Sequence, residues 1–319
     1  MNLKEVINYR NKDKKIFFLK ILLVIICLII IFIQIKGNFQ NILNKIIISE
    51  NDSIILIIAV IFFHNLHNLR YFFFLKTTFN FSKKFTDWTN LFFLTAFLNE
   101  SFSFSGHIVR SIELKKSGVE YYDYISVQYI FFSLGILTNL YLILIESLFL
   151  INSIKFLIIF LILTLLLSLS MLPSCLRYLL KIIQKFFFLK SFTQVFEIII
   201  NIIKIKKNIL IFILFTIFIH FFEIIIFYIS CKIFIASIGM VFVLKLFMIN
   251  FLVHRLPFLS SVIGFKEIIF GSFGVLMGFA FLDGILIQLA LRIFYNISFV
   301  QNYLIYKIFK FIFKKNIIS

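Results

Sequence analysis

The chain is poor in the residues that build a water-soluble domain. Of its 319 residues only 14% are charged and only two are proline. With 62% hydrophobic residues and a mean hydropathy of +1.07, this composition excludes an ordinary soluble globular protein. Cysteine is scarce too. Cys27, Cys175 and Cys231 are isolated and odd in number, which excludes a disulfide framework and a thiolate metal site. Neither a Ser/His/Asp order, nor a glycine-rich phosphate loop, nor an Asp-x-Asp pair is present, so no common catalytic motif can be read. Acidic residues are few, 14 against 32 basic ones, giving a net charge of +18.

What is there in quantity is apolar sequence. Runs of about 20 apolar residues, the length that crosses a bilayer, recur from end to end. They leave no room for a sizeable water-facing domain. The basic residues lie in short clusters between these runs, where cytoplasmic loops carry them, and not in a nucleic-acid-binding patch. Such clusters suit anionic lipid headgroups. Phe, Ile, Lys and Asn are so abundant that single members carry little information, and the sequons at Asn51, Asn80, Asn99 and Asn296 are given no weight.

Taken in order, the pattern predicts an all-α polytopic membrane protein, a single membrane domain over residues 1–319. Lys4, Arg10, Lys12, Lys14 and Lys15 form a cytoplasmic arm before a first span at about 16–35. A second span is expected at about 53–75. The segment 88–104 is too short and too polar for a lipid-facing span, so a re-entrant element lining a cavity is expected there. A hairpin at 124–150 and 154–172 follows, and Pro173 ends it. Residues 173–207, rich in Lys and Arg among apolar positions, read as a basic amphipathic connector on the membrane surface.

The second half, 208–319, repeats the plan of the first, 1–172. Spans at 208–230 and 233–253 lead to a small-residue interruption at 256–267, then to a final pair at 268–282 and 284–300. Asn99 and Gly106 are spaced as Asn250 and Pro257 are. Paired interruptions in two halves point to a transporter-type binding site between repeats. The count is about eight spans with a re-entrant segment in each repeat and both termini cytoplasmic. Parallel repeats follow from that count, inverted repeats if one short span is miscounted.

With both interruptions in view, the chain resembles the lysylphosphatidylglycerol synthase transmembrane-region family, the flippase-like or UPF0104 membrane proteins. Asn99, Gly106, Arg110, Leu114, Lys115, Gly118 and Val119 stand in the places of its first motif. Leu256, Pro257, Gly264, Glu267, Gly278 and Arg292 stand in those of the second. The chain departs from the family where Phe102, Ser103 and Phe104 replace Pro-Gly-Arg, where His107 replaces an acid, and where Leu259, Ser260 and Ser261 replace Pro-Gly-Gly.

The resemblance implies lipid handling in the bacterial inner membrane. The expected cargo is an aminoacyl-phospholipid or a polyprenyl-phosphate-linked sugar, with envelope-biosynthesis enzymes as partners and no cofactor. Asn99, His107, Arg110, Lys115, Lys266, Glu267 and Arg292 are the candidate substrate ligands; Gly106, Gly118, Pro257 and Gly264 are the turn residues. A membrane glycosyl- or phosphoryl-transferase on a lipid carrier is the alternative, as is a non-transporting accessory subunit of envelope assembly.

Several of these residues have two readings. Arg110 can hold a lipid phosphate bidentately, or anchor a cytoplasmic loop. Lys115 and Lys116 can touch headgroups or form a solvated face. Glu267 can cap a helix N-terminus, pair with Arg110 or Arg292, or capture a cationic headgroup. His64 with His67, and His220 with Glu223, share helix faces at i, i+3, which suits a proton relay or polar contacts between helices and falls short of a metal ligand set.

Overall fold

A computed structural model describes residues 22, 24–40, 42, 49–79, 81–101, 105–150, 158, 161–162, 164–166, 168, 173–185, 191–235, 238–255, 264–276 and 278–315. Among the described residues every regular element is a helix. They are α1 (Val24–Gly37), α2 (Glu50–Thr78), α3 (Phe85–Ser101), α4 (Ser105–Lys115), α5 (Tyr121–Leu150), α6 (Pro173–Lys185), α7 (Ser191–Ile203), α8 (Lys206–Phe234), α9 (Met240–Arg255), α10 (Phe265–Leu276) and α11 (Phe281–Lys315). Four of them contain a stretch long and apolar enough to cross a membrane, namely Glu50–Thr78, Tyr121–Ile145, Lys206–Phe234 and Phe281–Ile308. The chain is an all-helical integral membrane protein.

Local sequence explains where the helices begin. Ser49 caps α2: its hydroxyl accepts the Asp52 amide at 3.1 Å and donates to the Asp52 carboxylate at 2.6 Å. Glu50 and Asp52 in the first turn and Lys76 in the last complement the helix dipole. The start of α5 is fixed by Asp123, whose carboxylate accepts the Glu120 amide at 3.1 Å.

The chain divides into two compact units, each assembled from separate stretches. One comprises Met1–Ser53 and Phe227–Ile293, the other Ile54–Ile226 and Phe294–Ser319. In the first, Phe227, Phe247 and Phe270 pack edge to face, and Lys232 holds the Asp52 carboxylate at 2.9 Å. The core of the second is rich in aromatics, with Trp88 and Phe93 fully buried beside Leu114, Ile130 and Phe212. Its α7 lies against α5, where the Ser126 hydroxyl donates to the Val195 carbonyl at 3.1 Å.

Several boundaries differ from the sequence expectations. Residues 85–101 form a helix, within which the Thr95 hydroxyl bonds back to the Leu91 and Phe92 carbonyls at 2.8 and 3.1 Å. The last break falls at Gly278, with φ of +90°, and not between Leu282 and Gly284; α11 then runs on for 35 residues. The expected span at 233–253 is broken, since α8 ends at Phe234 and α9 begins at Met240. The connector contains two helices, α6 and α7, both amphipathic. Most of the expected span at 154–172 lies outside the described residues.

Candidate functional site

Helices α3 and α4 pack together as a hairpin around Gly106. A Cβ on Gly106 would collide with the Thr95 carbonyl oxygen and come within 2.7 Å of Asn99 Oδ1, so only glycine lets the two backbones approach this closely. Asn99 joins them further: its Oδ1 accepts the His107 amide at 3.0 Å, satisfying one of the free N–H groups at the start of α4. The Ser105 hydroxyl donates to the Leu98 carbonyl at 3.0 Å.

This packing places Arg110 inside the protein. Its residue exposure is 3%. Nε and Nη2 donate to Thr95 Oγ1 at 2.9 and 2.6 Å, and Nη2 reaches the Phe92 carbonyl at 3.4 Å. The guanidinium carbon also lies 5.1 to 6.0 Å from the ring centroids of Phe92, Tyr71 and Trp88. Among the described residues, Arg110 therefore has the Thr95 and Tyr124 hydroxyls, a carbonyl and aromatic faces as partners, and no carboxylate.

Beyond Arg110, α4 reaches polar surroundings. Glu113 holds Lys116 at 2.6 Å and Lys83 at 3.1 Å. Hydrogen bonds from Lys116 and then Lys83 keep its carboxyl below the usual range. Lys115 is exposed. The helix ends at Gly118, with φ of +88°, where the Val119 amide bonds back to Leu114 at 3.1 Å and the Gly118 amide to Lys115 at 3.3 Å. This glycine-terminated pair of bonds is a Schellman cap, and buried Val119 and Leu114 supply its apolar contact. His107 is oriented by the Tyr124 hydroxyl, 2.9 Å from Nδ1.

In the other unit, α9 and α10 are also packed together, and the chain enters α10 through Gly264, with φ of +89°. A Cβ there would lie 2.6 Å from Cys27 Cβ. Glu267 occupies the first turn of α10 at 1% exposure, and Lys266 beside it is buried as well. Arg292, on α11, brings Nη1 to 3.1 Å from Glu267 Oε1. That approach lacks hydrogen-bond geometry: among the described residues, Nη1 and Glu267 Oε2 are both buried polar atoms without a hydrogen-bond partner. One helical turn before Arg292, Gln288 donates to Asn250 Oδ1 at 2.6 Å. The α10–α11 turn is held by a close approach of Gly271 and Gly284, and by a second Schellman cap at Gly278.

Of the pairings read in Glu267, the structure shows the one with Arg292. Pro257 and the replaced turn residues Phe102–Phe104, Leu259, Ser260 and Ser261 lie outside the described residues. His64 and His67 both lie edge-on to the Phe63 ring, with centroids 5.0 and 4.7 Å away. His64 packs its ring on Tyr295 and Phe299, with centroids 5.3 and 4.1 Å away, while His67 Nδ1 faces Arg70 Nη2 at 3.1 Å. His220 Nδ1 lies 2.7 Å from Asn139 Oδ1.

Sequence reasoning passes over Arg70. It is buried in α2, donates to Thr216 Oγ1 at 2.8 Å and lies over the rings of Phe212 and Phe131 at 4.6 and 5.1 Å. Its neighbour Asn68 donates to Thr89 at 2.9 Å. The available signal is an arginine inside an otherwise apolar span, which is costly unless it is used. Neither a family model, nor a curated protein, nor a solved structure matches this chain.

Proposed function

We infer that this protein is a flippase-like transporter of a lipid with a charged headgroup, either an aminoacyl-phospholipid or a polyprenyl-phosphate-linked sugar. The observation that carries the reading is Arg110: a guanidinium at 3% exposure whose partners among the described residues are all neutral. Taking such a charge out of water costs several kcal/mol, and hydroxyls, a carbonyl and ring faces offset only part of this. A lipid phosphate would complete the compensation, accepting the guanidinium bidentately in place of Thr95.

The resemblance of both interruptions to the flippase-like family supports the same reading. On it, segment 88–104 and the interruption at 256–267 are the re-entrant elements of two repeats in a fold of about eight spans, in the bacterial inner membrane with both termini cytoplasmic. Asn99 and His107 would shape the first element, Lys115 would guide headgroups toward it, and Lys266, Glu267 and Arg292 would serve the second. Envelope-biosynthesis enzymes would supply or consume the lipid.

The test is reconstitution in vesicles carrying a lipid with a reporter headgroup in the inner leaflet. The wild-type protein should expose that headgroup at the outer leaflet. Arg110→Gln and Glu267→Gln, each inserted to the same level, should abolish the exposure. Translocation unchanged by both substitutions would sink the proposal.

A further inference from the structure

The contact between Glu267 and Arg292 is close and yet incomplete. The charges touch at 3.1 Å, but no hydrogen bond forms between them. Among the described residues, Glu267 Oε2 is left as a buried acceptor without a donor, and Arg292 Nη1 as a buried donor without an acceptor. A buried polar atom without its hydrogen bond costs free energy, more so when it is charged. Orphans of opposite hydrogen-bonding sense on one ion pair define what a ligand must bring: an acidic hydrogen for the carboxylate and an anionic oxygen for the guanidinium.

A phosphate group that still carries one acidic hydrogen supplies both from a single centre. A phosphate diester supplies the oxygen alone, as does sulfate. Arg292 keeps 16% side-chain exposure while Glu267 keeps 1%, so a ligand would meet the guanidinium first and the carboxylate last. That order lets the carboxylate act as the discriminator.

We propose that Glu267 and Arg292 form a binding site selective for a monoprotonated phosphate, that is, a phosphate monoester or inorganic phosphate, over diesters and sulfate. Glu267 Oε2 accepts the P–OH hydrogen, and Arg292 Nη1 donates to a neighbouring phosphate oxygen. This deepens the lipid-handling reading and rests on it for the lipid source. Between the two lipid classes considered above, it favours a carrier that ends in a bare phosphate at some stage of its cycle.

The experiment is a binding measurement on the purified full chain in phosphatidylcholine nanodiscs, with four probes: phosphatidate, phosphatidylmethanol of the same acyl chains, inorganic phosphate and sulfate. It is run below the second ionisation of a phosphate monoester, about 6, so that the P–OH is present. Phosphatidate should bind about tenfold or more tighter than phosphatidylmethanol, the size expected for one hydrogen bond to a buried charge. Glu267→Gln should bring that ratio to about one, because the amide presents a donor or a weaker, uncharged acceptor.

Selectivity for phosphate over sulfate without phosphatidate binding would keep the site and assign it to the soluble ion. Equal affinity for phosphatidate and phosphatidylmethanol, or a ratio unchanged by Glu267→Gln, would overturn it. Should Glu267→Gln fail to accumulate, Arg292→Lys serves instead, and it should weaken phosphatidate binding while leaving the protein's melting temperature in place. Binding is read without any transport step. Failed translocation with preserved selectivity would count against the transporter reading alone, and the converse against the site alone.

Discussion

The α3–α4 hairpin around Arg110 and the α9–α10 pair around Glu267 follow the same order of parts. A helix of 17 or 16 residues is followed by a helix of 11 or 12, and then by a positive-φ glycine, Gly118 or Gly278, closing a Schellman cap before a long helix. Their charges are compensated differently. Arg110 is held by Thr95 and ring faces with its bonds made, whereas Glu267 meets an opposite charge with its bonds unmade. The backbone plan is therefore independent of the charged residue it presents. A cation surrounded by neutral groups needs an anion, and an ion pair with orphaned atoms needs a ligand with both donor and acceptor.

The largest expected effect concerns close packing. Gly106→Val places side-chain atoms on the Thr95 backbone oxygen, which cannot give way, so a loss of about 3 kcal/mol or more is expected, or failure to accumulate. Gly284→Ala, against Gly271 Cα and the Phe270 carbonyl, should lose somewhat less. Gly135→Ala meets nothing within 4 Å and should gain about 0.5–1 kcal/mol from helix propensity. Thermal melting in detergent checks the order, and equal losses at Gly106 and Gly135 would refute it.

The contrast in compensation is sharpened by a pair of substitutions. Thr95→Val removes the hydroxyl that takes two Arg110 bonds, and should cost about 1.5–3 kcal/mol. Glu267→Gln leaves the Arg292 guanidinium, 3.1 Å away, without its opposite charge, and should cost about 3 kcal/mol or more. The reverse ranking in chemical denaturation would break the comparison. A milder pair is Gly118→Ala and Gly278→Ala. Each forces a left-handed residue at the same cap, so the two should lose similar amounts, about 1–2 kcal/mol.

Much of this was legible in the sequence where the cause is local. Four of the apolar runs coincide with helices long and apolar enough to cross a membrane. Gly118 and Gly264 are flagged as turn residues, and both have positive φ. The association of Glu267 with Arg292 is one of two pairings read from the sequence. What stayed hidden depends on neighbouring helices. His64 and His67 share a helix face by spacing, yet one meets Phe299 and the other Arg70, because residues three apart still diverge by about 60° around a helix of 3.6 residues per turn. Arg70 went unnoticed because its value lies in Thr216 and Phe212, some 140 residues away.

The central claim is that Arg110 compensates the charge of a translocated headgroup, and the most direct test is the initial translocation rate of Arg110→Gln beside Arg110→Lys in the same reconstituted vesicles, with melting temperatures matched to wild type. Lysine keeps the charge and loses the bidentate fork, so Arg110→Lys should retain a reduced rate and Arg110→Gln should fall to the protein-free background. Wild-type rates in Arg110→Gln would contradict the account.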